Sequence, residues 1–554
     1  MLTKDKKKEI DALMKNPVFK REMKGLITKI KERKITEKQM LGLKQKISKK
    51  FNLDFIIPNS LILEYNASKD VFVNYFLLKK KIRTLSGVAV VAVMVAPHKC
   101  PGKCIYCPSN TGVAPKSYTG LEPATRRAIM FNFDSYKQAK NRLEQLKAIG
   151  HNTQKIEIII MGGTFLSMPK KYQVDFVKGI FDALNEKESK NLNEAKEINQ
   201  TAKQRCVGLT IETRPDYCGE KEIKQMLYLG ATRVELGVQI LNNEIYLTTK
   251  RGHTIEDVAK ATEILRNSGL KIVYHIMPGL GTKKQDLDAF DMLFEKEHFL
   301  PDMLKIYPTL VIKGTKLYDL WIQKKYNPLG AKEAVKLICK LKRKVPEYVR
   351  IMRIQRDISK EKIEAGVDAG NLRELLEKEM TKEGVKCKCI RCREAGHNIY
   401  KKTLFNKENN IENHIDSKTT REKTSKNIKI KTMHYTASKG EEYFISFVGE
   451  KNILYGYLRL RVLNKNCRLI VDEITPESAI IRELKVFGTS TPLGEEYDFS
   501  FQHKGFGRKL IEEAVKIAKK ENKGKLFVMS AIGTREYYKQ FGFAEDGVYM
   551  SRKI

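Results

Sequence analysis

Between residues 88 and 307 the chain alternates short apolar runs with amphipathic ones. The charge-free stretch 88–96 and the apolar run 156–161 read as buried strands, and 207–210, 233–237, 271–276 and 303–306 continue the series. Between them, 135–149, 170–184, 220–229 and 255–268 repeat apolar residues at helical spacing. This alternation predicts an α/β fold with a parallel sheet, and six units fall short of the eight that close a barrel. The expected core is therefore a partial (β/α)6 barrel, open on one side to a large substrate.

The flanks follow other patterns. Before the barrel, Ile10, Leu13, Met14, Phe19, Met23, Ile27 and Ile30 recur at helical spacing and predict amphipathic helices. After it, 401–432 is polar, basic and poor in large apolar groups, and reads as a linker or insertion. From 442 onward the pattern turns to strands, at 442–447, 453–462, 468–471 and 480–487. An amphipathic helix at 510–520 and a strand at 525–529 follow, so a second α/β domain is expected at the C-terminus.

Composition sharpens the picture at two points. The chain has 554 residues and a formal net charge of +38, so it holds more than one domain and favours polyanionic partners. A generally lysine-rich composition is the plainer explanation, but residues 1–50 concentrate 17 Lys/Arg against 6 Asp/Glu on helix faces. That region reads as a clamp for nucleic-acid phosphates, and Lys79-Lys80-Lys81-Ile82-Arg83 adds to it. The longest apolar runs are too short to cross a membrane and no signal peptide is expected, so the chain reads as cytoplasmic, with reduced cysteines.

Six of the ten cysteines fall in two tight clusters, which is metal-site and not disulfide spacing. Cys100, Cys104 and Cys107 sit on the loop leaving the first strand, and three thiolates there can hold three corners of an iron–sulfur cluster with one iron left open. A three-cysteine zinc knuckle is the alternative. Cys387, Cys389 and Cys392 suit a structural zinc stapling two domains, with His397 a candidate fourth ligand; a second redox centre or free thiols are the other readings. Loops after later strands carry Gly162-Gly163, Glu212 to Asp216, Gly237 to Gln239 and His275 to Gly279. Gln502-x-x-Gly505-x-Gly507 at a helix start makes an amide nest suited to pyrophosphate.

The first cysteine motif followed by Gly162-Gly163 resembles the radical S-adenosylmethionine superfamily. The glycine loop, the strand after its helix and Thr534 to Phe543 resemble the GCN5-related N-acetyltransferases. Together, with Ser117 to Pro123, Ile211 to Cys218, Asn371 to Leu375 and Ile481 to Leu484, the chain is similar to the Elongator catalytic subunit (elongator protein 3) family. The compact cysteine spacing resembles archaeal or bacterial members, which act without other Elongator subunits.

The resemblance implies four regions: a basic RNA-binding part at 1–80, a radical domain at 81–370, a zinc-binding linker at 371–432 and an acetyltransferase domain at 433–554. It implies that a 4Fe-4S cluster on Cys100, Cys104 and Cys107 binds S-adenosylmethionine and yields a 5′-deoxyadenosyl radical. The activity implied is acetyl-CoA-dependent carboxymethylation of the wobble uridine of transfer RNA, with an external reductant as electron donor and a homodimer left open. Acetyl-CoA contacts would come from Glu483, Leu484, Lys485, Val486, Phe506, Gly507 and Arg508, with Tyr538 near the thioester. Lys155 would touch it from the barrel side; Gly162, Gly163 and Gln239 would face S-adenosylmethionine. The uridine would be splayed into a pocket between the domains. A protein lysine acetyltransferase with a structural iron–sulfur domain is the rival reading, and an RNA-binding scaffold a further one.

Overall fold

The structure is a computed structural model that describes residues 10–398 apart from 11, 33, 67–69, 71–72, 74–75, 79–83, 85 and 109–112, together with 427–487 and 505–554. The basic run 79–83, most of the expected linker 401–432, and Gln502, His503 and Lys504 lie outside the described residues.

All six expected barrel strands form: β1 (Ala89–Met94), β2 (Lys155–Met161), β3 (Arg205–Thr213), β4 (Arg233–Gln239), β5 (Lys271–Ile276) and β6 (Met303–Ile306). They pair in parallel in chain order, and helices such as Ser135–Ala148 and Lys170–Asn185 cover the outer face as a curled half-barrel. The short strand β7 (Val311–Ile312) follows, and then β8 (Arg350–Arg353) adds a seventh parallel strand beside β6. The basic stretch 350–357 reads as strand-like in the sequence, and Arg350 is buried there by an ion pair with Glu394 at 2.9 Å. The strand β9 (Ile363–Ala365) pairs back with β7.

At the N-terminal side, Pro17–Lys31, Glu37–Lys50 and Asn59–Glu64 are helices with a small core of their own, built on Phe19, Met23, Ile27 and Ile30. The Asn16 side chain caps the first by accepting from the amides of Val18 and Phe19. Thr36 and Gln39 form a capping box on the second. Lys20, Arg21, Lys24, Lys29, Lys31, Lys46 and Lys49 are all exposed, so the burial of one apolar stripe leaves a basic outer surface.

The C-terminal sheet contains β10 (Lys429–Ala437), β11 (Gly440–Val448), β12 (Leu454–Val462), β13 (Ser478–Val486), β14 (Lys525–Val528), β15 (Ala544–Asp546) and β16 (Tyr549–Lys553). Its order is β10-β11-β12-β13-β14-β16-β15, antiparallel except where β13 and β14 run parallel across the helix Phe506–Lys520. The expected strand at 468–471 is irregular chain: it crosses the barrel floor, where the Asn267 side chain donates to the Arg468 carbonyl at 3.1 Å. Strand β10 begins where a linker was expected, its exposed lysine-rich side masking a strand that pairs along all of β11.

The second sheet docks on the N-terminal ends of the barrel strands. A Cβ on Gly533 would lie 2.5 Å from Arg205 Cβ at the start of β3, so glycine permits the close approach. Arg482 on β13 reaches the barrel, donating to both carboxylate oxygens of Asp302 at 2.8 and 2.6 Å. The cysteine loop leaves the opposite, C-terminal end of β1. A strand of six or seven residues spans about 20 Å, so barrel floor and barrel mouth are separate places.

Candidate active site

At the mouth, Cys100, Cys104 and Cys107 line one cavity together with Gly163, Gln239 and Arg251. Arg251 donates to Cys104 Sγ at 3.1 Å and Arg214 approaches it at 3.8 Å. Burial works against the Cys104 thiolate, but the two guanidiniums outweigh it and hold its pKa below the usual thiol value. Burial pushes the Cys107 thiol up, against a 3.2 Å hydrogen bond with Ser117 Oγ. Cys100 Sγ accepts from the Gly102 amide at 3.4 Å. These donors fit an iron–sulfur cluster: cationic partners offset its negative charge, and the three sulfurs are not among the described groups whose ligand atoms all lie within 4.8 Å. One small ion would need that closer spacing; sulfurs on separate irons need more.

Other candidates fall into place around them. Gln239 holds a left-handed backbone, φ 72°, at the cavity wall, where a non-glycine residue is costly. Gly163 lines the cavity, whereas Gly162 turns away from it, with φ 134° and a would-be Cβ 2.3 Å from Val95. Deeper in, Tyr118 Oη donates to Glu212 at 3.0 Å, and Glu235 receives His275 at 2.8 Å and Lys305. The Glu212-to-Asp216 and His275-to-Gly279 loops stood out in the sequence. Arg251 did not; its only signal there was its place after the β4 loop. All described residues that line this cavity fall between Cys100 and Ile358, so it is a pocket of the barrel mouth and not one between the domains.

Asp286, on the helix Lys283–Glu295, accepts the Gly279 amide at 2.7 Å and so anchors the loop that carries Met277 into the cavity. Burial pushes its carboxyl up to about 7. The folded state thus keeps a proton that the unfolded chain releases near pH 4, and stability falls as pH rises between those values. Asp286→Asn should flatten that slope and raise stability at pH 8 by about 3 kcal/mol. Urea unfolding at pH 5 and pH 8 measures it, and equal slopes in both proteins would refute it.

At the floor, β13 and β14 pair only over Ser478–Ile481, and among the described residues the rest of β13 pairs with β12 alone. Glu483 and Lys485 turn toward the barrel, while Leu484 packs into the second core beside Phe506. The helix Phe506–Lys520 begins without an acidic residue or side-chain cap, so the amides of Phe506, Gly507 and Arg508 suit a pyrophosphate. Separated parallel strands beside an uncapped helix start fit a nucleotide thioester. Tyr538 is buried, its hydroxyl pKa pushed up by burial with Tyr537 and Glu483 close by. Lys155 opens β2 at this same end, and burial lowers its ammonium to about 8.

A Cβ at position 507 would lie 2.2 Å from the Tyr537 hydroxyl. Gly507→Ala should therefore weaken coenzyme A binding at least tenfold, and adding Tyr537→Phe should restore part of it. Calorimetric titration reads both. Unchanged binding in the single variant would remove this helix start from the site.

Cys387, Cys389 and Cys392 bring their sulfurs within 4.8 Å of one another, as a tetrahedral zinc requires. Hydrogen bonds from the other two thiols hold Cys389 well below the usual thiol range. His397 does not join this group, and its Nε2 is buried without a hydrogen-bond partner among the described residues.

Comparison with known proteins agrees with this architecture. The Radical SAM superfamily profile matches residues 94–293 and the Radical_SAM C-terminal domain residues 301–382. The tRNA uridine(34) acetyltransferase of Methanocaldococcus jannaschii is 50% identical over 507 residues, 90% of each chain. Elongator complex protein 3 of Saccharomyces cerevisiae is 39% identical over 531 residues, covering 93% of this chain and 91% of that one. The solved Methanocaldococcus infernus Elp3 with an N-terminal deletion superposes with TM-score 0.73 at 45% identity, covering 85% of this chain and 100% of that one. At such identity across nearly the whole length, the chain is an enzyme of the tRNA uridine(34) acetyltransferase and Elongator complex protein 3 family.

Proposed function

We propose that this transferase modifies the wobble uridine of transfer RNA, joining a two-carbon unit from acetyl-CoA to carbon 5 of the base as a carboxymethyl group. The observation that carries the reading is the pairing, in one chain, of a three-thiol cavity at the barrel mouth with a thioester-type seat at the barrel floor. When bound, a 4Fe-4S cluster and S-adenosylmethionine supply a carbon radical able to take hydrogen from an unactivated methyl group.

This chain's own residues do the rest. Cys100, Cys104 and Cys107 would hold the cluster, and Arg251 and Arg214 favour the thiolate form of Cys104. Gln239 and Gly163 offer backbone to S-adenosylmethionine at the cavity wall. The amides of Phe506, Gly507 and Arg508 take the pyrophosphate of acetyl-CoA, and the segment Glu483, Leu484, Lys485 and Val486 takes its pantetheine arm. Tyr538 and Lys155 lie toward the thioester. The exposed lysines of the N-terminal helices hold RNA phosphates, with the uridine unstacked from the anticodon loop into the mouth cavity. Zinc on Cys387, Cys389 and Cys392 staples the segment behind β8, where the Ile390 amide bonds the Val349 carbonyl at 2.9 Å.

The test incubates anaerobically reconstituted protein with transfer RNA, acetyl-CoA, S-adenosylmethionine and a reductant, followed by nucleoside mass spectrometry. The expected product is 5-carboxymethyluridine. Acetylated protein lysine with unmodified transfer RNA would overturn the reading in favour of a protein acetyltransferase.

A further inference from the structure

Barrel interiors are ordinarily filled by branched apolar side chains. This lumen is not. Alternation along the strands puts Glu157 on the same face as Met161, Thr210 on that of Glu212, Arg233 on that of Glu235, and Lys271 on that of His275. Met161, Glu212, Glu235 and His275 line the mouth cavity, so their partners lower on each strand face the same lumen.

At the floor of the lumen the charges do not balance. Arg233 is 5% exposed and pairs with Glu157 through one terminal nitrogen. Its Nε and other terminal nitrogen, the edge that grips a carboxylate side-on, are buried without a hydrogen-bond partner. Lys271 is its register neighbour on β5, and among the described residues no hydrogen bond or ion pair serves its ammonium. The carboxylates in range are engaged: Glu157 by Arg233, and Glu483 by Arg459 at 2.9 Å. Lys485 reaches toward the same place from β13, adding a further cation. The buried Arg233 donors left unserved are costly, and a guanidinium edge beside the half-buried Lys271 ammonium is the recognition pattern of a carboxylate.

We propose that the free edge of Arg233 and the ammonium of Lys271 form a seat for a small carboxylate of acetate size, at the seam between barrel floor and second sheet. This rests on the acyl-donor reading above and extends it: the seat lies beside β13 and would hold acetate, formed when water cleaves the thioester of acetyl-CoA and coenzyme A leaves as its thiol. Burial lowers the Lys271 ammonium to about 8, and a bound anion would raise it again.

The test uses full-length, reconstituted protein and [1-13C]acetate at constant ionic strength, with saturable line broadening in carbon NMR as readout and chloride and inorganic phosphate as competitors. Acetate should bind saturably and be displaced poorly by chloride. Lys271→Met should weaken binding at least tenfold, and Lys271→Arg should stay within threefold of the parent protein. Arg233→Lys, which retains the Glu157 pair, should lose affinity without loss of fold and serves if Lys271→Met unfolds. Acetate binding that is equal in all variants, or no better than chloride, would overturn the seat and mean that buried water serves these donors. Acetyl-CoA binding measured in parallel separates the two ideas. Acetyl-CoA bound without acetate removes only the seat; acetate bound through Lys271 without acetyl-CoA removes the acyl-donor reading.

Discussion

Replacing Cys104 with alanine is expected to reduce uridine modification more than a thousandfold while transfer RNA affinity stays within about twofold. Cys104 is the thiol that Arg251 and Arg214 both address, and its thiolate is the one held below the usual thiol range. Losing it leaves two sulfurs, too few to retain a four-iron cluster with one open iron. The proposed RNA contacts lie elsewhere, on the helices Pro17–Lys31 and Glu37–Lys50, whose core of Phe19, Met23 and Ile30 is separate from the barrel's. Iron content, the electron paramagnetic resonance signal of the reduced cluster, and filter binding of transfer RNA are read together. Loss of RNA binding alongside the cluster would mean that the loop is needed first for folding. Retained modification would remove the cluster from the chemistry altogether.

That experiment starts from a feature plain in the sequence, and the reason is physical. Three cysteines within eight residues on the loop after a charge-free strand are a local arrangement, as are Gly505 and Gly507 at a helix start. Periodicity likewise fixed β1 to β6, because each strand is buried by apolar side chains at positions its own sequence displays. What escaped notice depends on partners far along the chain. The stretch 350–357 reads as strand-like, but its place beside β6 was not foreseen, since it rests on the burial of Arg350 against Glu394 on another segment. Arg251 matters through Cys104, and nothing near either residue announces the other. His397 stands close to the second cysteine cluster in sequence but does not join its three sulfurs in space.

The docking of the second sheet was the least legible feature. It places the uncapped start of the helix Phe506–Lys520 and the three-thiol cavity at opposite ends of one parallel sheet, so under the proposed function a two-carbon unit and a radical would meet across the barrel. The polar lumen described above is the space between them. Sequence motifs name both ends but carry no distance, whereas the charges at the seam show how the ends are fixed.

Arg482→Met should destabilise the protein by about 3–5 kcal/mol, because it breaks a fully buried ion pair from one side. Arg482 bridges the domains: its guanidinium serves both oxygens of Asp302, reaches Glu442 at 2.9 Å and donates to the Leu270 carbonyl at 3.0 Å. Burial disfavours the Asp302 carboxylate, but Arg482 and Arg459 hold its pKa well below the usual range. Its share of the stability is therefore present above about pH 4 and lost as pH falls further. Arg459 at 3.4 Å and Arg266 at 4.0 Å cannot replace the lost pair, since neither is placed to serve both oxygens. Arg482→Lys keeps the charge without the fork and should cost less, about 1–3 kcal/mol. Adding Asp302→Asn to Arg482→Met should recover at least about 1 kcal/mol, the mark of two residues acting as a pair. Urea unfolding of the four proteins at pH 7 measures these terms. If Arg482→Met fell within 1 kcal/mol of the parent, water would have to reach Asp302 in the folded protein, and the seam would not be the dry joint that holds acyl seat and barrel together.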